Sequence, residues 1–120
     1  MALGSALIVD SRRERGAALA ARLRDRVVRV SLCDDGYAAL ATMLRESPDL
    51  LFLDAGLGGW GPINVLQGME RFVLRTRVVL LIGQEDADRA LFRSNLVVGS
   101  LREPLRDAEL EHLLFGRQEA

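Results

Sequence analysis

The sequence predicts an α/β fold, a single parallel sheet of five strands with helices on both faces. Five short apolar runs, "ALIVD" (6–10), "VVRVSLC" (27–33), "DLLFLD" (49–54), "RVVLLIG" (77–83) and "LVVGSL" (96–101), alternate with segments of helical periodicity. Most of these runs are continuous in apolar residues, as strands buried on both faces must be. The segments between them supply the right-handed crossover helices that parallel neighbours require.

Each element has its own justification. After the first strand, Ser11 can cap a helix in which Gly16, Leu19, Ala20 and Leu23 recur at helical spacing. Asp34 or Asp35 caps the second helix, whose expected stripe is Tyr37, Leu40, Ala41 and Leu44, and Pro48 stops it. Pro62 suits the first turn of a third helix bearing Leu66, Met69 and Val73. Glu85 and Asp86 open a short fourth helix that ends near Asn95. The last helix shows Leu110, Leu113 and Leu114, with Gly116 as its stop.

Composition narrows the function classes. At 120 residues the chain is expected to be one domain spanning 1–120, with its core at about 5–116. A net charge of -1 gives no broad attraction to nucleic acid or anionic membrane. Arg12, Arg13, Arg15, Arg22, Arg24, Arg26 and Arg29 cluster early and read as the solvated face of a helix. The single cysteine, Cys33, excludes an internal disulfide and reads as a small buried hydrophobe rather than a nucleophile. The N-terminus lacks the pattern of a signal peptide, and no apolar run approaches the ~20 residues that span a bilayer, so the expectation is a cytoplasmic protein. All 16 basic residues are arginine; there is no lysine. His112 has no second histidine or cysteine cluster to form a metal site with it. No nucleophile-elbow pattern suggests a hydrolase.

In sheets of this kind, sites form outside the carboxyl ends of the strands. Asp10, Asp54, Ile82 and the residues near Pro104 fall at those ends. Asp54 closes the most apolar run and leads into the glycine-rich "AGLGGWGP" (55–62). A buried carboxylate is costly unless it is paired or hydrogen-bonded, so Asp54 either reacts or is held by amides of the Gly56–Gly59 loop. That loop lacks the spacing and the lysine of a nucleotide-phosphate cradle. Trp60 within it reads as a cap on the core edge, with a partner anchor as the alternative.

The pieces "LIVDS" (7–11), "DDGYAAL" (34–40), "SPDLLFLDAGL" (47–57) and "GSLREPL" (99–105), in this order and spacing, resemble the receiver domain of bacterial two-component response regulators over essentially the whole chain. The resemblance implies a flavodoxin-like doubly wound sheet of strand order 2-1-3-4-5. It also implies phosphoryl transfer from a histidine kinase to the aspartate at position 54, and a cis bond between Glu103 and Pro104. Such transfer is catalysed mainly by positioning and charge neutralisation. In the family this work falls to Mg²⁺ on the acceptor and an acidic pair, a lysine before a proline, a Thr or Ser, and an aromatic switch.

Carried over residue by residue, that machinery is degenerate. Asp54 stands at the phospho-acceptor position. The acidic pair reads Asp10 and Ser11, so one carboxylate ligand of the metal is a neutral hydroxyl. The lysine position holds Glu103, the Thr/Ser position Ile82 and the aromatic position Ser100. A glutamate roughly 5 Å from Asp54 would replace an attraction with a repulsion of ~3 kcal/mol at an effective dielectric of about 20. Asp10, Ser11 and Glu103 are therefore expected to form a vestigial acidic pocket without metal or other cofactor, with Ile82 and Ser100 unable to switch.

The expected function is a receiver-like signalling module, not an enzyme, that works by phosphorylation-independent protein–protein contact. The resemblance places the contact surface on the fourth helix, fifth strand and fifth helix, here Leu91, Phe92, Arg93, Arg106, Glu109 and His112. Its partner would be a signalling protein, an output domain of the same chain, or a second copy in a homodimer. The alternative is a working phospho-acceptor with an altered site, which alone would call for Mg²⁺. A third reading is a metabolite sensor using the vacated pocket.

Overall fold

The structure is a computed structural model and describes residues 3–83 and 87–116. Strands β1 (Leu3–Val9), β2 (Val27–Cys33), β3 (Leu50–Asp54), β4 (Arg77–Ile82) and β5 (Val97–Arg102) alternate with helices α1 (Arg13–Leu23), α2 (Gly36–Glu46), α3 (Pro62–Arg71) and α4 (Asp107–Phe115). All strand pairings are parallel, in the order β2-β1-β3-β4-β5. This is the expected flavodoxin-like arrangement, and the Glu103–Pro104 bond is cis.

Alternation along the strands divides the core into two layers. Leu7, Val9, Leu51, Leu53, Val78 and Leu80 point to the side covered by Ala39 and Met43 of α2 and by Val65, Leu66 and Met69 of α3. Ala6, Ile8, Leu50, Phe52, Val79 and Leu81 point to the other side, covered by Leu19, Ala20 and Leu23 of α1 and by Leu110 and Leu114 of α4. Continuing the same alternation by one step puts Asp10 and Asp54 on the α1 side.

Four local expectations need correction. Ser11 does not cap α1; the N-cap is Arg12, whose amide is taken by Asp10 Oδ1 at 2.8 Å. The buried stripe of α2 is Gly36, Ala39 and Met43, offset by one position from the expected one. Asp35 sets that phase by accepting the Ala38 amide at 2.7 Å, so Tyr37, Ala41 and Leu44 face outward and Leu40 is half-buried. Val73 lies beyond the end of α3 with positive φ and an exposed side chain.

The fourth correction concerns the β4–β5 connection. Glu85 and Asp86 lie outside the described residues, and the segment that follows forms only a 3-10 helix, Arg89–Arg93, before Ser94 ends it. Five residues capped by Asp88 cannot present an α-helical face. One buried side chain, Leu91, anchors this turn to the core, so Leu91 is not available to a partner.

Candidate functional site

Asp10, just past β1, and Asp54, the last residue of β3, are each 4 % exposed. Between them lies Arg15 from the first turn of α1, with a side chain 3 % exposed. Its Nε donates to Asp10 Oδ2 at 2.7 Å and its Nη2 to Asp10 Oδ1 at 2.9 Å, a bidentate grip. The same Nη2 is ion-paired with Asp54 Oδ1 at 3.0 Å. Two glycines border the cluster. An added Cβ at Gly16 would touch the Asp10 side chain at 3.4 Å, and one at Gly83 would stand 3.9 Å from Arg15 Nη1.

The second oxygen of Asp54 is held from the segment between β1 and α1. Ser11 donates to Oδ2 through its hydroxyl at 2.7 Å and through its backbone amide at 3.2 Å. Gly56 N–H donates to Oδ1 at 2.8 Å, so a loop amide does hold this carboxylate, but Arg15 and Ser11 carry most of the contact. Burial pushes the Asp54 pKa up; the Ser11 hydroxyl, the Gly56 and Ser11 amides and the Arg15 charge outweigh it, and the net shift is downward. For Arg15, burial acts to lower the pKa, and the hydrogen bond and charge of Asp10 together with Asp54 reverse this into a rise. Arg15, Asp10 and Asp54 form one fully paired cluster.

Arg15 was the pocket residue to find, and its charge hid it. The arginine-rich start of the chain does read as solvated at Arg12, Arg13, Arg24 and Arg29. Arg22 and Arg26 instead reach α4, pairing with Asp107 at 2.8 Å and Glu111 at 2.7 Å. Arg15 lies four residues before Leu19 on the apolar stripe of α1, the one place where an arginine must be buried. That spacing was the available signal.

The expected acidic pocket is only partly assembled. Asp10 and Ser11 stand with Asp54. Glu103 stands apart on the rim, paired with Arg12 at 2.5 Å, both side chains about half exposed at 46 % and 52 %. The repulsion expected between Glu103 and Asp54 is avoided by this turn toward Arg12. Ile82 is buried among the α2/α3-side apolar residues, and Ser100 on the edge strand is exposed. Arg102 Nη1 donates to the Gly83 carbonyl at 3.3 Å.

The donor set does not fit a divalent ion. Mg²⁺ needs oxygen atoms with free lone pairs directed at one point. Every carboxylate oxygen of Asp10 and Asp54 already accepts from an N–H or O–H or faces the guanidinium. Among the described residues no cluster of three or more His, Cys, Asp or Glu side chains suits a metal.

Elsewhere, Trp60 stacks on Tyr37 with ring centroids 4.4 Å apart and packs half-buried against the core beneath the β3–α3 loop. The Cys33 thiol is pushed up to about 11, by burial first and by the charges of Asp35 and Asp34 second. Of the expected contact surface, Phe92 and Arg93 on the 3-10 helix and Arg106, Glu109 and His112 at α4 are exposed. They flank the edge strand β5, where Val98, not singled out by the sequence, is 48 % exposed as the extra residue between the Val78–Val97 and Val79–Gly99 pairs. No helix among the described residues is long and apolar enough to cross a membrane.

No protein-family model and no curated protein matches the sequence. Solved structures do match the fold. The receiver domain of a Pseudomonas aeruginosa sensor histidine kinase, with a magnesium ion coordinated in its active-site cleft, is 22% identical with a TM-score of 0.81, covering 94% of this chain and 95% of that one. The N-terminal signal receiver domain of a Bacteroides fragilis two-component response regulator is 22% identical with a TM-score of 0.78, covering 98% and 100%. The receiver domain of a Saccharomyces cerevisiae response regulator, solved with a histidine phosphotransfer protein, is 18% identical with a TM-score of 0.80, covering 94% and 87%. Along nearly its whole length, this chain has the fold of response regulator receiver domains.

Proposed function

We propose that this chain is a receiver-like signalling module that acts by protein–protein contact, without phosphorylation of Asp54 and without a cofactor. The observation that carries the reading is the occupation of Asp54: Oδ2 accepts from the Ser11 hydroxyl and amide, and Oδ1 accepts from Gly56 while paired with Arg15. An acceptor carboxylate needs a free lone pair and a cation able to gather the incoming phosphoryl oxygens. Here the nearest cation is committed to Asp10 and Asp54 together.

The remaining positions support the same conclusion. A ligand shifts a conformational equilibrium only by contacting one state better than the other. Ile82 offers a phosphoryl group no hydroxyl, Glu103 offers it no positive charge, and Ser100 has no ring to relocate. The partner is a signalling protein, an output domain or a second copy, meeting the face around β5 through Phe92, Arg93, Arg106, Glu109 and His112. The rival reading, a working phospho-acceptor, draws on Asp54 being held ionised at a strand end.

Incubation with acetyl phosphate and Mg²⁺, followed by intact-mass measurement, separates the two. The expected result is no gain of a phosphoryl group, and no change in backbone amide spectra with beryllofluoride. A stoichiometric, Asp54-dependent mass gain would establish the rival reading.

A further inference from the structure

Two carboxylates from different strands do not stay ionised in a dry pocket without a cation between them. In this chain the cation is covalently part of the domain. We infer that Arg15 is the resident cation of the Asp10–Asp54 pocket, balancing the charge that a divalent ion would otherwise balance and leaving the domain indifferent to Mg²⁺. The inference deepens the phosphorylation-independent reading and rests on it.

The geometry is specific. Nη2 stands 2.9 Å from an oxygen of Asp10 and 3.0 Å from an oxygen of Asp54, so one nitrogen bridges the two carboxylates as a shared metal ion would. Nε fixes the plane of the guanidinium by its bond to the other Asp10 oxygen at 2.7 Å. Both Asp10 oxygens and Oδ1 of Asp54 are thereby turned toward Arg15, and Ser11 closes the remaining oxygen. A competing ion would have to displace a bidentate, buried guanidinium that brings no separate association cost. Truncating Arg15 removes that competitor and leaves two facing carboxylates with the Ser11 hydroxyl beside them. These are hard oxygen donors suited to Mg²⁺ or Mn²⁺.

The experiment titrates Mg²⁺ and Mn²⁺ against the full chain, with sodium chloride matched for ionic strength, reading Trp60 fluorescence and thermal unfolding. Wild type should show no saturable response up to about 10 mM, far above the range of strong carboxylate sites. Arg15→Ala and Arg15→Gln should melt lower and regain roughly 4 °C or more on saturation with the ion. Adding Asp10→Asn to either should abolish that gain. Arg15→Lys, which keeps the charge, should respond as wild type does. If Arg15→Ala is unfolded without the ion, folding on its addition supports the inference, and Arg15→Gln gives the same reading from a side chain that keeps an amide donor. Saturation of wild type below about 10 mM, or a folded Arg15→Gln no more responsive than wild type, would overturn it. Neither result touches the phosphoryl mass measurement; a folded Arg15→Gln no more responsive than wild type overturns this inference alone, whereas saturation of wild type also removes the cofactor-free part of the functional reading.

Discussion

Arg15 of α1 and Asp54 at the end of β3 form a buried ion pair at 3.0 Å, and the same guanidinium nitrogen holds Asp10 at 2.9 Å. This one side chain joins the first helix to the ends of two neighbouring strands. Removing one member of a buried pair leaves an uncompensated charge, which costs far more than the pair adds in net stability. Arg15→Ala should therefore destabilise the domain by about 3–5 kcal/mol in urea unfolding. Arg15→Lys should recover part of this, since an ammonium carries the charge but cannot grip Asp10 in a bidentate manner. A loss below about 0.5 kcal/mol for Arg15→Ala, as at an ordinary surface position, would show that the triad is not dry.

The downward shift of Asp54 makes stability depend on pH. Its folded pKa lies below its unfolded one, so between them the folded state binds fewer protons. The contribution is complete above the ordinary carboxylate value of about 3.9 and is lost as pH falls through the folded pKa. Wild type should therefore lose stability more steeply than Asp54→Asn below about pH 4.5, with both curves flat near neutrality. Unfolding midpoints measured from neutral pH into this acid range test the slope, and parallel curves would refute it.

The fold was legible because its signals are redundant. Five apolar runs, the cap at Asp35, Pro62 in the first turn of α3 and the stop at Gly116 each point to the same alternating architecture. The site was legible only on its strands. Asp10 and Asp54 follow Ile8 and Phe52 by two, so period-2 alternation puts both on the α1 face. Arg15 escaped because charge was taken as evidence of solvation, although its spacing to Leu19 and Leu23 places it on the buried stripe. The α2 stripe failed for a different reason. Tyr37, Leu40, Ala41 and Leu44 and the pair Ala39 and Met43 offer two competing apolar faces, and only the phase set by the Asp35 cap decides between them. Nothing local distinguishes a short α-helix from the 3-10 turn at Arg89–Arg93.

That turn separates two neighbouring residues of opposite roles. Leu91 is fully buried and Phe92 is 49 % exposed. Leu91→Ala should cost about 2–4 kcal/mol, because it leaves a cavity where the turn meets the core. Phe92→Ala should change stability by no more than about 0.5 kcal/mol. Equal losses at the two positions in chemical denaturation would mean that Phe92 is part of the core.

Cys33 should be a poor nucleophile. Its thiol is pushed up to about 11, by burial and then by the charges of Asp35 and Asp34. The thiolate is the reactive form, so at neutral pH alkylation by iodoacetamide should be slower than for free cysteine by about a hundredfold or more. The rate should climb as pH rises toward that value. Rapid, pH-independent labelling at neutral pH would point to a thiolate stabilised by a neighbour that the fold does not show.

The face around β5 and the Asp54 pocket should separate cleanly in function. Phe92 and Arg93 lie on one side of the edge strand and Arg106 and Glu109 on the other, all exposed. A buried aromatic anchor and an arginine are the residues whose truncation most often weakens an interface, by about 2 kcal/mol or more at a hot spot. Phe92→Ala and Arg106→Glu should thus weaken association with the physiological partner, or self-association, by about tenfold or more while leaving the unfolding midpoint in place. Asp54→Asn breaks the contact with Arg15 and should lower stability. Yet under the proposed phosphorylation-independent reading no rearrangement links that carboxylate to Ile82 or Ser100, so the folded variant should bind the partner as wild type does. Affinities measured at a temperature where every variant is folded keep the two effects apart. If Asp54→Asn abolished binding there while Phe92→Ala and Arg106→Glu did not, the pocket would be the signalling element and the β5 face would not.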